Sequence, residues 1–223
     1  MLQQLKARSG KLLSGSVLEP NPRYRKAIGV LGVALPPTLL IWAIGEGIQG
    51  SISAYYYTSG RDWFVGTLWV IGVFLIFYQF KPQDQNKRRS QDPVQSGFAD
   101  AALGKLAGVS AVLVALLPTT PPERLSQPAI IGMAHGAAAF VAFLSLSLFP
   151  LRLFSEAKDS APMYRLCGTL MLSSLGLIVA HAFAPQSVRE ALAPWKPVLL
   201  LEWFLIWVFA YTWFKKGQES VDN

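Results

Sequence analysis

Residues 128–150 read PAIIGMAHGAAAFVAFLSLSLFP, an apolar run whose one ionisable residue is His135. Its length matches the roughly 20 residues that an α-helix needs to cross the ~30 Å hydrocarbon core of a bilayer. Backbone N–H and C=O groups find no water in lipid, so a spanning segment of this kind must pair them internally as a helix. The run therefore predicts a transmembrane helix.

Five other apolar runs of similar length accompany this one along the chain. Hydrophobic residues make up 52% of the sequence and charged residues 15%, well below the roughly 25% of a soluble domain. The sequence predicts an all-α integral membrane bundle of six transmembrane helices over residues 27–216, between a basic segment 1–26 and a tail 217–223. The predicted spans are 27–48, 63–80, 98–118, 128–150, 163–184 and 197–214.

Lys and Arg residues are divided unequally between alternate connections. Of the 20 Lys and Arg residues, only Arg61, Arg124, Arg189 and Lys196 fall in the first, third and fifth connections. Basic residues concentrate on the cytoplasmic side of membrane proteins, which predicts that both termini are cytoplasmic. The same asymmetry explains the net charge of +7, so we expect the lipid bilayer and no nucleic acid as a partner. Membrane-protein partners or a homo-oligomer stay open.

Ionisable residues are costly inside a membrane and are candidates for function wherever they occur. The predicted topology puts five such residues toward the outer side, from five different spans: Glu46, Asp62, His135, His181 and Glu202. They are our candidate catalytic residues. Carboxylates and imidazoles at one depth suit acid–base chemistry or a divalent cation such as zinc, and equally a structural polar network. Local ligand spacing such as HExxH is absent, so no metal is assigned.

The first outer connection, SISAYYYTSGRD at residues 51–62, combines hydroxyls, three tyrosines and an Arg-Asp pair. One interpretation is an interfacial loop anchored by its aromatic residues. The other is a lid or wall of a pocket between helices, with Ser51, Tyr55 and Arg61 as candidate ligand-binding residues.

Three further patterns concern packing. Pro36-Pro37 predicts a kink or local unwinding in the first span, which is tolerable in lipid if neighbouring helices or side chains satisfy the freed carbonyls. Gly104–Gly108 and Gly132–Gly136 have the GxxxG spacing that permits close helix contact. An interfacial aromatic belt is predicted from the tryptophans near span ends, which are Trp42, Trp63, Trp195, Trp203 and Trp213.

The stretch Ser51–Phe77, with its SISAYYYT and RDWFVGTLWVIGVFLIF segments, resembles a bacterial family of polytopic membrane proteins of unknown function. That resemblance implies a six-span protein of the inner (plasma) membrane and no particular activity. A more distant similarity is to the alkaline ceramidase and adiponectin-receptor superfamily, hydrolases with a zinc ion held by three histidines. It implies supporting roles for Ser51 and Asp62, but this chain has two histidines and lacks the family's HxxxH pair.

Three functions follow as hypotheses. The first is an outward-facing polar pocket that binds a small molecule or a lipid head group, with a metal-dependent hydrolase as its enzymatic form. The second is a non-catalytic accessory or scaffold subunit of a larger membrane complex, and the third is a transporter or channel. The pocket hypothesis requires His135 and Glu202 to share one cavity.

Overall fold

The computed structural model describes residues 22–78, 93–121, 126–156 and 159–219, and this part of the chain is helical without a β-strand. A 3₁₀ helix, Ser53–Tyr57, lies in the first connection, and a π-helical turn, Phe149–Leu153, follows the fourth long helix. The α-helices are α1 (Pro22–Trp42), α2 (Arg61–Phe77), α3 (Pro93–Leu116), α4 (Ala129–Leu148), α5 (Ala161–Ala182), the short α6 (Gln186–Leu192) and α7 (Pro197–Glu219).

The six long helices form a closed ring. Each of α1 to α4 packs against the next helix along the chain, and α7 packs against both α5 and α1. Within the described part of the chain, four segments are long and apolar enough to cross a membrane: α1, α4 with its continuation to Leu153, α5 and α7. Of the other two predicted spans, α2 has 17 residues, and the apolar part of α3, Ala101–Leu116, is also shorter.

Small residues bring neighbouring helices together at two interfaces of the ring. A Cβ atom on Gly108 of α3 would lie 2.4 Å from the carbonyl oxygen of Gly72 on α2. A Cβ on Gly29 of α1 would lie 2.8 Å from the Cβ of Phe214 on α7. Any larger side chain at these positions would push the backbones apart, so glycine permits the close packing.

Pro36 and Pro37 lie inside α1, which continues through both. Proline lacks the N–H that would bond to the carbonyl four residues earlier, so Pro37 frees the carbonyl of Val33. Trp207 Nε1 on α7 donates to that oxygen at 3.1 Å. A neighbouring helix thus satisfies this freed carbonyl, which is the condition for tolerating the prolines in lipid.

An aromatic cluster fills the end of the bundle where α7 finishes. Trp213 is fully buried there, and its ring centroid lies 5.3 Å from that of Tyr78, 5.6 Å from Phe149 and 5.6 Å from Phe154. The prediction of an interfacial role for Trp213 was wrong, because apolarity near a span end does not reveal which way a side chain faces. This end is called the Trp213 end below.

Buried charged residues surround that aromatic cluster. Arg25 of α1 donates to the hydroxyl of Tyr78, and Glu219 of α7 accepts from Ser160 at 2.6 Å and from Tyr164 at 3.0 Å. Lys216 lies 3.5 Å from Glu219. These contacts join α1, α2, α5 and α7, so the Trp213 end is tied together by polar contacts as well as apolar packing.

The boundaries of α1 differ from the predicted span 27–48. The helix begins at Pro22, inside the predicted basic segment 1–26, and ends at Trp42. Gly45 and Gly47 then take positive φ angles of 93° and 79°, which favour glycine and end the helix. Residues 1–21, 79–92, 122–125, 157–158 and 220–223 lie outside the described residues, and so do nine of the 20 Lys and Arg residues that predict the orientation.

Candidate functional site

A cavity of ≈ 730 Å³ lies at the opposite end of the bundle, between α4, α5 and the start of α7. Both His135 and Glu202 line it, together with Ser51 and Ser53 of the first connection and Thr119 and Thr120 after α3. We call it the Glu202 cavity. Its volume lies within the roughly 300–1,000 Å³ of small-molecule sites.

Glu202 is buried, with 6% of its surface exposed. Its Oε2 atom accepts the backbone N–H of Ile52 at 2.6 Å, and the backbone N–H of Ser53 also bonds to the carboxylate. These two amides begin the 3₁₀ helix Ser53–Tyr57, whose first N–H groups have no partner within the helix. The carboxylate of α7 therefore caps a helix in a distant connection and fixes one wall of the cavity.

His135 is also buried, with 3% exposed. Its Nδ1 lies 2.7 Å from the carbonyl oxygen of Leu117, at the end of α3. A carbonyl can only accept, so Nδ1 carries the proton and Nε2 of the neutral ring is an acceptor. The contact orients the imidazole at the cavity wall.

The first connection is held over the cavity by a second set of contacts. The hydroxyl of Tyr57 lies 2.6 Å from the carbonyl oxygen of Thr119, and Gln127 Nε2 donates to the same oxygen at 2.9 Å. Burial raises the pKa of the Tyr57 hydroxyl, and the neighbouring Tyr56 raises it further. The hydroxyl therefore remains protonated, and able to donate, at neutral pH.

Apolar side chains of α4 and α5 form the remaining walls. Gly136, Ala139 and Phe143 line the cavity from α4, and Ile178 and Val179 from α5. Two other lining residues, Met133 and Phe183, have 68% and 87% of their surface exposed. The cavity therefore reaches the outer surface of the bundle between α4 and α5, which we call the α4–α5 opening.

Of the five candidate catalytic residues, the structure brings His135 and Glu202 to this cavity and places the other three elsewhere. Glu46 lies in the turn after α1 and accepts the backbone N–H of Ser59 at 2.9 Å. Asp62 is exposed in the first turn of α2, where a carboxylate complements the helix dipole. His181 is half-buried in the last turn of α5 and is not among the residues that line the cavity.

The three candidate ligand-binding residues also lie at different places in the structure. Ser51 lines the cavity, and its Oγ accepts the backbone N–H of Ala54 at 3.0 Å. Tyr55 is fully buried and faces a different cavity of ≈ 310 Å³ after α1. Arg61 is exposed and donates to the hydroxyl of Tyr56 at 2.8 Å, with its guanidinium over that ring.

Within the described residues, no group of three His, Cys, Asp or Glu side chains is placed to hold a metal ion. His135 and Glu202 alone offer fewer protein ligands than the three that catalytic zinc sites use. The zinc-hydrolase resemblance therefore gains no geometric support from these residues.

Sequence reasoning missed Ser53, Thr119, Thr120 and the α4 face around Gly136 as parts of this site. The spacing of Gly132–Gly136 predicted helix packing, but a Cβ on Gly136 would meet no atom within 4 Å. Small residues next to a histidine in an apolar helix were the available signal, because they leave room beside an ionisable group.

Comparison with protein-family models, curated proteins and solved structures gives no match for this chain.

Proposed function

We propose that this chain is a six-span protein of the bacterial inner membrane, with both termini in the cytoplasm, that binds an amphiphilic small molecule in the Glu202 cavity. One observation carries the proposal. His135 and Glu202, distant in sequence, line the polar end of a cavity whose other walls are apolar faces of α4 and α5.

The ring of helices supports the six spans. The shorter helices α2 and α3 pack against each other and against α1 and α4, both of which are long enough to span a membrane. A helix that completes a ring of this kind shares the environment of its neighbours. The division of Lys and Arg between alternate connections supports cytoplasmic termini.

The α4–α5 opening supports an amphiphilic ligand. In a membrane, exposed apolar residues such as Met133, Phe140 and Phe183 contact lipid tails. A cavity that opens between them is accessible sideways from the bilayer. An apolar chain would lie along α4 and α5, and its polar group would reach His135 and Glu202.

The shape of the cavity favours binding over transport. Beyond Glu202, toward the Trp213 end, the space narrows to a cavity of ≈ 60 Å³ whose walls are mostly apolar, including Leu35 and Phe209. The Trp213 aromatic cluster then fills the bundle. Phe209 lines this smaller cavity and packs against Trp213, so the aromatic cluster lies between that cavity and the Trp213 end.

Two measurements test this proposal. Reporter fusions at residues 85 and 123 should place the former in the cytoplasm and the latter in the periplasm. A periplasmic residue 85 would overturn the orientation.

For binding, the substitution Ala139→Trp fills the cavity, since Ala139 lines it. Val109→Trp is the matched control, on the exposed face of α3. Native mass spectrometry of protein purified from membranes should show a bound small amphiphile in wild type and Val109→Trp, and its loss in Ala139→Trp. Equal occupancy in all three proteins, or none in wild type, would contradict the proposal.

A further inference from the structure

The polar end of the Glu202 cavity is rich in hydrogen-bond acceptors. The two oxygens of a carboxylate together accept about four hydrogen bonds. The backbone N–H groups of Ile52 and Ser53 donate two of these to Glu202. Nε2 of His135 adds an acceptor, because its Nδ1 is already bound to Leu117. A ligand group placed here is therefore matched best if it donates hydrogen bonds.

Positive charge is absent from the described residues that line this cavity, where neither Lys nor Arg occurs. Two nearby cations on the same side are directed elsewhere. Arg61 contacts Tyr56, and Lys196 Nζ donates to the carbonyl of Ile48. Proteins bind phosphate and carboxylate groups mainly with Arg and Lys.

Backbone N–H groups at the start of a helix also bind anions. At the 3₁₀ helix that borders this cavity, the N–H groups of Ile52 and Ser53 already bond to Glu202. An anionic head group would thus meet a carboxylate where it needs a donor.

The apolar walls determine the size and shape of the apolar part of the ligand. A volume of ≈ 730 Å³ corresponds to one drug-sized molecule, which fits an amphiphile with one chain. A ligand that enters from the bilayer exchanges one apolar environment for another, so its chain along α4 and α5 needs space of the right shape and gains no hydrophobic energy from burial. The chain must therefore fit the cavity, and the head group supplies selectivity.

Building on the proposed function, we propose that the Glu202 cavity selects single-chain amphiphiles whose head group donates hydrogen bonds and carries no anionic group. Hydroxyl and amine head groups share this chemistry, whereas a phosphate does not. The ligand enters through the α4–α5 opening with its head group toward Glu202 and His135.

The test uses the full chain in phosphatidylcholine nanodiscs. Cys167→Ala removes the native thiol, Ala139→Cys places a reporter on the cavity wall, and labelling by N-ethylmaleimide is timed. Four probes carry the same oleoyl or oleyl chain: monoolein, oleylamine, methyl oleate and oleoyl lysophosphatidic acid. A reporter at Leu113→Cys, on the exposed face of α3, is the control for effects on the bilayer.

We expect monoolein, oleylamine or both to slow labelling of Ala139→Cys and to leave Leu113→Cys unchanged. The half-effective concentration should be about tenfold lower than for methyl oleate, the factor that one or two net hydrogen bonds supply. Oleoyl lysophosphatidic acid should protect as poorly as methyl oleate. His135→Ala should reduce the preference for monoolein over methyl oleate.

The contradicting outcomes separate the two proposals. Protection by lysophosphatidic acid equal to or better than by monoolein and oleylamine overturns the selectivity and leaves the binding function intact. Equal protection by methyl oleate and monoolein overturns the requirement for a donor. If no probe of any head group protects the cavity reporter, the proposed binding function itself fails.

Discussion

The carboxylate of Glu202 on α7 and the backbone N–H of Ile52 form a 2.6 Å hydrogen bond between residues 150 positions apart. Because the acceptor is buried, removing it leaves amides that bulk water cannot reach. An unsatisfied buried donor costs about 1–3 kcal/mol.

We therefore expect Glu202→Ala to destabilise the protein by about 2 kcal/mol and Glu202→Gln, which keeps an acceptor oxygen, by less. Unfolding in mixed detergent measures the difference. Glu190→Ala, an exposed residue that accepts from Gln186 within α6, serves as the control and should cost at most about 0.5 kcal/mol. Equal effects at positions 190 and 202 would show that the cap has no energetic role.

The contact between Tyr57 and Thr119 is predicted to depend on pH only in the alkaline range. Burial, the larger cause, and Tyr56 raise the pKa of Tyr57 above its ordinary value of 10.0. The folded state thus holds the proton more tightly than the unfolded state. The contribution to stability is complete below about pH 10 and falls as the pH rises further.

Tyr57→Phe should remove this alkaline dependence and cost about 1 kcal/mol at pH 7. Tyr211→Phe, with half of the side chain exposed, is the control. Denaturation midpoints measured between pH 7 and 11 provide the check, and a wild-type profile that declines already between pH 7 and 9 would contradict the prediction.

The hydrogen bond from Trp207 to the carbonyl of Val33 is expected to matter because of Pro37. Trp207→Phe removes the donor and should destabilise by about 1 kcal/mol. In a Pro37→Ala background the helix supplies its own N–H to Val33, so the same substitution should cost measurably less. A double-mutant cycle gives the coupling, and additive effects would mean that the two residues act independently.

Gly108 and Gly66 offer a contrast between two neighbouring helices. A Cβ on Gly108 would lie 2.4 Å from the carbonyl of Gly72, whereas a Cβ on Gly66 of α2 would meet nothing within 4 Å. Gly108→Ala should destabilise by about 1–3 kcal/mol through overpacking. Gly66→Ala should be neutral or stabilise by up to about 1 kcal/mol through helix propensity. Thermal unfolding of both variants measures these changes in stability. A neutral Gly108→Ala would exclude close packing of α2 on α3.

The helices were predictable from the sequence because apolar runs of sufficient length reflect the demand of the backbone for internal hydrogen bonds. The need for another donor to the Val33 carbonyl was predictable for the same reason, because Pro37 has no backbone N–H. The closure of the ring was not, because six apolar helices can be arranged in many orders with similar hydropathy patterns.

The candidate site was predictable only in part. Sequence gives the depth of a residue along a span, and His135 and Glu202 were grouped on that basis. It does not give the direction in which a side chain points around the bundle. Glu46, Asp62 and His181 therefore do not line the cavity that His135 and Glu202 share. The GxxxG spacing at Gly132–Gly136 likewise cannot distinguish a neighbouring helix from an open cavity.

The pairing of α1 with α7 has a consequence for biosynthesis. At about 5–20 residues per second, the ribosome needs on the order of ten seconds to complete α7 after α1 has emerged. During that interval Gly29 and the carbonyl of Val33 lack their eventual partners. Lipid or the insertion machinery must therefore cover this face of α1 in the membrane until α7 is inserted and packs against it.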